Sequence, residues 1–281
     1  MIYANDFVNQ LIKNCQFFRI KKKTIFEPMQ RYFVKLRFKG TNYHGWQIQP
    51  NAITVQEVIE KALSTVIGNK TAIVGAGRTD TGVHASFFIF HFDSFNSDIE
   101  SNKLLPRLNG FLPADISIQS INKVPSGYHA RFSAISRTYN YYITTKKNPF
   151  RTDFAFFHPG RLDIEIMNKA ASLLMEYDDF TSFSRLHTDV KTNICKIYIA
   201  EWHKKNEELV FTIKADRFLR NMVRAIAGTL ILAGRGKIDR DGFRKIIESK
   251  NRGDAGPSAP AHGLFLTEIK YPDEIDNIIN L

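Results

Sequence analysis

An α+β fold built from two similar halves is what this sequence predicts, and three observations carry the prediction. Segments with apolar residues at every second position are interspersed with segments whose apolar residues recur at helical spacing. The same strand-and-helix theme starts again after about residue 130, without recognisable sequence similarity between the halves. A chain of 281 residues, 43% of them hydrophobic, has enough material for one or two cores, and its length favours about two domains.

Taken in order, residues 31–38 (RYFVKLRF) alternate Tyr32, Val34, Leu36 and Phe38 with Arg31, Lys35 and Arg37, the pattern of a half-buried strand with a basic outer face. A helix comes next in ITVQEVIEKALSTVIGN. Thr54 and Glu57 fit a capping box, Val58, Ile59, Ala62, Leu63 and Val66 share one face, and Gly68-Asn69 stops it. Short strands are expected at 71–75 and 86–92, a helix near 99–110 and a strand near 115–123. In the second half, 137–145 reads as a strand and 164–177 as a helix, and 192–203 and 208–215 read as paired strands. A long helix over 217–233, another near 240–249 and a last strand, LFLTEIKY, complete it. This gives an extension at 1–28, a first domain at 29–130 and a second at 131–281, with a cleft between two sheets, where large ligands usually bind.

Charge and composition narrow the function. There are 39 Lys+Arg against 28 Asp+Glu, a net charge of +11, which favours polyanionic partners. The segment 1–28 carries +3 of this through Lys13, Arg19 and Lys21–Lys23 against Asp6 and Glu27. It reads either as a leader ahead of a start at Met29 or as a loosely docked arm. Cys15 and Cys195 are too few for a disulfide framework, and the eight histidines have no metal-ligand spacing, so no metal site is expected. The beginning of the chain lacks the apolar run and cleavage site of a signal peptide. The most apolar stretch, AIAGTLILAG at 225–234, is half the length of a membrane crossing. A soluble, cytoplasmic protein is the expectation.

The stretch GAGRTDTGVHA at 75–85 sets an acid, Asp80, two residues after a base, Arg78, among small neighbours. As a nucleotide loop it fails on three counts. Its spacing is GxGxxxxG, the next segment has a strand pattern where a helix N-terminus is required, and there is no GK[ST]. A turn stiffened by an Arg/Asp pair is the plain structural alternative. The functional reading is that a guanidinium keeps Asp80 ionised, while small neighbours let a ligand approach it as nucleophile or base.

This loop resembles the signature of the tRNA pseudouridine synthase A family, usually GRTDAGVHA. GTNYHGWQIQP (40–50), YHARFSAISRTYNYYI (128–143), DFTSF (179–183), FLRNMVRAIAGTL (218–230) and AGPSAPAHGLFL (255–266) resemble its other motifs, in the same order. Together they span 31 to about 270. Thr81 stands where the family most often has Ala, and His262 where Gln is commoner. The resemblance implies a pseudouridine synthase fold with mainly antiparallel sheets, no cofactor, and isomerisation of uridine to pseudouridine at positions 38, 39 and 40 of the tRNA anticodon stem-loop. It also implies a homodimer acting on tRNA.

By the same resemblance Asp80 is the catalytic carboxylate. Arg78 holds it and helps move the target base, Tyr139 stacks on the flipped uracil, Arg224 pairs with Asp80, and Leu264 closes the pocket. Arg217 and Arg220, on the helix expected at 217–233, would form a phosphate-binding or solvated face with Arg224. His129 and Arg131 fit RNA contact or a domain-bridging role equally, and His44, Trp46 and Gln47 are left unassigned. The competing readings are a non-catalytic RNA-binding protein of the same fold and a nucleotide-binding metabolic enzyme.

Overall fold

The computed structural model describes residues 29–95, 99–185 and 192–280, so the extension expected at 1–28 lies outside the described residues. Nine strands are described: β1 Gln30–Phe38, β2 Val74–Gly75, β3 His84–Ser94, β4 Ile116–Val124, β5 Ser136–Thr144, β6 Phe156–Phe157, β7 Ile197–Lys205, β8 Glu208–Ala215 and β9 Leu264–Lys270. The helices are α1 Val55–Ile67, α2 Ser101–Phe111, α3 Ile164–Ala171, α4 Met222–Gly234, α5 Arg240–Ser249 and α6 Asp273–Ile279.

The strands form one continuous sheet in the order β4-β1-β3-β9-β5-β8-β7, with β2 paired to β3 and β6 to β5. Every neighbouring pair along that order is antiparallel except β3/β9, which is parallel and brief, matching His84 to Phe265 and Ala85 to Leu266. The α+β class and the mainly antiparallel pairing agree with the sequence expectation. The two sheets do not stand apart, because the last strand of the chain bridges them.

Two hydrophobic clusters lie against this sheet. One gathers β1, β3, β4, α1 and α2, together with Leu266, Ile269, Tyr271, Ile275 and Ile279 from the end of the chain. The other gathers β5, β7, β8, α3, α4 and α5. Phe33, on the face of β1 opposite Tyr32 and Val34, is buried too, because Tyr271 packs edge-on against it at 5.6 Å. The strand is therefore covered on both faces rather than one. Tyr139 packs against both clusters, which puts it at their seam.

Local signals set several boundaries as expected. The Thr54 hydroxyl accepts the Glu57 N–H at 3.4 Å, and Gly68 ends α1 in the left-handed region at φ +83°. Other boundaries moved. The segment 71–75 is a strand only at Val74–Gly75, and 164–177 leaves the α-helix after Ala171 for a 3₁₀ turn at Ser172–Met175. Residues 192–196 stay outside β7. The helix expected at 217–233 begins at Met222, because Asn221 takes a left-handed conformation at φ +65° and breaks the helical path before it. Arg217 and Arg220 are therefore not on its face, and the expected arginine stripe does not form. None of the helices is long and apolar enough to cross a membrane among the described residues.

Candidate active site

The loop at 75–85 leaves β2 and enters β3, and it is held by its own turn and by the segment at 40–46. Val83 donates to the Asp80 carbonyl at 3.1 Å, which bends the chain at Asp80 and projects its side chain out of the turn. Trp46 N–H donates to the Thr79 carbonyl at 3.3 Å, and Gly82 N–H to the Tyr43 carbonyl at 3.3 Å. Gly45 makes this closeness feasible: it sits at φ +86°, and a Cβ there would run into the Thr79 carbonyl oxygen. The Trp46 ring is buried beneath the loop and stacks on Phe88 at 4.1 Å. His44, Trp46 and Gln47 had no assignment from the sequence; for Trp46 the structure supplies a supporting one.

Opposite this loop stand α4 and the segment at 255–263. Gly228 lets them touch, since a Cβ on it would occupy the position of the Pro257 carbonyl oxygen. Arg224, in the first turn of α4, accepts the Ala259 N–H on its carbonyl at 2.9 Å and donates Nε to the Ala259 carbonyl at 2.8 Å. With its stem fixed in this way, the guanidinium reaches across to the loop, and Nη1 lies 3.6 Å from Asp80 Oδ2. Both side chains keep solvent access, at 22% for Arg224 and 24% for Asp80. The carboxylate is oriented but not enclosed.

Tyr139, on β5, lies opposite Leu266 of β9 and Ile213 of β8, half-buried, with its ring edge-on to Phe218 at 5.3 Å. Burial first, and the negative charge of Asp80 second, push its phenol above the ordinary value, so it is a neutral hydroxyl at physiological pH. Leu264 opens β9 opposite Tyr141 and is 4% exposed in the second core. Tyr141 itself is wholly buried and donates its hydroxyl to the Pro260 carbonyl at 2.9 Å.

Arg78 departs from expectation. It is exposed, and among the described residues it makes no ion pair with Asp80. Thr79, between them, is buried, and its carbonyl accepts the Trp46 N–H. The guanidinium that holds Asp80 is that of Arg224, while Arg78 is left free to face a ligand.

One contributor was not singled out by the sequence, although it lies within the motif at 128–143. Arg137 donates to the carbonyls of Ala76 at 3.3 Å, Arg131 at 2.7 Å, Ala134 at 3.2 Å and Asp216 at 2.8 Å. It thereby binds the start of the acidic loop to the segment before β5 and to the end of β8. An arginine within an alternating strand reads as solvent-facing, and only the folded chain reveals four carbonyls converging on it.

Fold and site together define an α+β protein of basic charge with one arginine-tethered, accessible carboxylate and a neutral phenol at the seam of two cores. A family model described as tRNA pseudouridine synthase matches residues 36–133 and 170–272. The tRNA pseudouridine synthase A of Bacteroides fragilis is 55% identical over 248 residues, covering 88% of this chain and 98% of that protein. The protein of the same name from Parabacteroides distasonis is 54% identical over 247 residues (88% and 98%). That of Thermoanaerobacter pseudethanolicus is 40% identical over 245 residues (86% and 100%). The chain belongs to the tRNA pseudouridine synthase family.

Proposed function

We propose that this protein isomerises uridine to pseudouridine in tRNA, at positions 38, 39 and 40 of the anticodon stem-loop. The observation that carries the proposal is the Asp80–Arg224 pair, an oriented carboxylate with open access beside the Tyr139 hydroxyl. In the reaction the bond between ribose C1′ and N1 breaks, the uracil turns, and C1′ bonds to C5. The C5 hydrogen leaves to water and N1 takes up a proton, so the net change is an isomerisation. Attack by the carboxylate at C1′, attack at C6, and assisted elimination to a glycal all begin from an ionised acid within reach of an extruded nucleotide.

Asp80 serves as that acid and Arg224 holds it. Tyr139 and Leu264 line the place of the base, and exposed Arg78 meets the nucleotide as it leaves the stack. Flipping costs a few kcal/mol, which the pocket contacts offset. We further propose a cytoplasmic homodimer that reads the tRNA by its shape and phosphates. The chain divides at about residue 130 into a half carrying Asp80 and a half carrying Tyr139, Arg224 and Leu264. The two hydrophobic cores support that division, with residues from Leu266 onward lending side chains to the first.

The test is tRNA carrying tritium at uridine C5. Catalysis releases the label to water, and Asp80→Ala abolishes release while tRNA binding persists. Binding without release by the unsubstituted protein would instead establish a non-catalytic RNA-binding protein, and release retained in Asp80→Ala would mean another group does the chemistry.

A further inference from the structure

Phe132 is a large apolar side chain left 76% exposed, on a backbone turn closed by His129 and Ser133. The His129 Nδ1 accepts two backbone N–H groups, those of Arg131 at 3.1 Å and Phe132 at 3.3 Å, which curls the chain back on the imidazole. The Ser133 hydroxyl accepts the His129 N–H at 2.9 Å, and the Ser133 N–H donates to the His129 carbonyl at 2.9 Å. Three rings then lie in succession from inside to outside. Buried His91 is 4.7 Å from His129, and His129 is 4.4 Å from Phe132. His129 stays neutral as this arrangement requires: partial burial first, then the charges of Arg31 and Arg131, hold it below its ordinary value.

Phe132 therefore presents an outer ring that lies against His129, which in turn lies against His91. A fold gains nothing by ordering an apolar ring into water.

Its position supplies the occupant. One nitrogen of Arg137 donates both to the Arg131 carbonyl and to the Ala76 carbonyl, so this turn is fastened to the start of the loop that carries Asp80. The Arg131 guanidinium sits 5.6 Å from the Phe132 ring centroid, and neither it nor Arg78 has a carboxylate partner among the described residues. An aromatic face beside an uncompensated arginine suits a nucleobase and its phosphate. The net charge of +11 adds a general attraction for a polyanion at this surface.

We propose that Phe132 is a stacking platform for the unstacked base neighbouring the target uridine, with Arg131 holding the adjoining phosphate. This rests on the RNA substrate proposed above but assigns it a contact outside the uracil pocket. By taking up a neighbouring base, the platform would lower the cost of opening the stem at the target.

The experiment measures binding to a full-length tRNA transcript, unsubstituted or abasic at a nucleotide flanking the target. Phe132→Leu, which keeps an apolar side chain but no ring, should weaken binding by about tenfold to a hundredfold, the range expected for one lost base stack. Phe132→Trp should retain it. An abasic flanking nucleotide should cost the unsubstituted protein a comparable factor and cost Phe132→Leu little more. Thermal melts of both variants should match the parent, since the ring buries little.

Equal binding by Phe132→Leu, or the same abasic penalty in both proteins, would overturn the platform. So would a switch of Phe132→Leu from dimer to monomer in sedimentation that accounts for its lost binding, which would assign the surface to a second copy. A parent protein that binds tRNA with these factors yet releases no tritium would sink the catalytic reading and leave the platform standing.

Discussion

Two arginine–aspartate pairs in this molecule begin with the same chemistry and end differently. Arg31 grips Asp93 with two bonds of 2.7 Å, Nε to Oδ1 and Nη2 to Oδ2, and spends its remaining nitrogen on the carbonyls of Ser126 and Tyr128 at 3.0 and 2.7 Å. Arg224 spends Nε on the Ala259 carbonyl and meets Asp80 through one long approach of 3.6 Å. The first carboxylate is consumed by the fold, since both oxygens are committed. The second is steered by a charge and keeps its lone pairs for something else. A bidentate pair is what rigidity needs, and a loose one is what chemistry needs.

Substituting each acid in turn should split the two roles, and the largest effect is expected at Asp80. Asp80→Asn should lower tritium release by about 10²–10⁴-fold, the range typical of a lost acid–base group. Its stability in urea should change by no more than about 0.5 kcal/mol, as for substitutions that break no buried network. A strongly destabilised Asp80→Asn protein would erase the contrast and make this pair structural as well.

Acid should act on the structural side. His91, 3% exposed, neighbours the Arg31–Asp93 pair and accepts the Ala130 N–H at 3.2 Å; burial first, then the charge of Arg31, lower its pKa to about 4. The unfolded chain, with a histidine near 6.5, binds its proton first as pH falls. The contribution is thus complete above about pH 6.5 and is lost progressively toward pH 4, by on the order of 3 kcal/mol. Asp93, held low by its hydrogen bonds from Arg31, adds loss in the same direction as it protonates. Urea melts across that range should show the decline, and His91→Gln, which keeps an acceptor but does not titrate, should flatten it. An unchanged slope in that variant would remove His91 from the account.

Asp93→Asn comes next, with an expected cost of about 2 kcal/mol for weakening a partly buried charge-assisted pair. That corresponds to a fall in melting temperature of about 4–8 °C for a chain of this size. Activity per folded molecule should hold, because Asp93 is not part of the site.

The smallest effect is predicted for Arg78→Ala. Exposed and without an ion-pair partner among the described residues, Arg78 should leave stability within about 0.5 kcal/mol of the parent. Only tRNA binding and turnover should suffer, with a shallower salt dependence as one phosphate contact goes. Destabilisation in this variant would mean that Arg78 has the holding role which the geometry gives to Arg224.

Much of the architecture was legible because its causes are local. The alternation in β1, the Thr54 cap and Gly68 stop of α1, and the order of the motifs are set by neighbours a few residues away, so a linear reading finds them. The acidic loop and the residue types of the site were visible for the same reason, and resemblance supplied their roles. A single residue was enough to mislead that reading: Asn221 in a left-handed conformation shortened α4 and dispersed the arginine stripe.

What folding alone decided is which distant groups meet. Asp80 is turned from Arg78 toward Arg224, and four carbonyls converge on Arg137, one of them from Ala76 and one from Asp216. The approach of Asp80 and Arg224 depends on glycines that let backbones touch, Gly45 against Thr79 and Gly228 against Pro257. Spacing along the chain specifies turns and periods. Contacts between loops remote in sequence are fixed only when two cores close on a shared sheet.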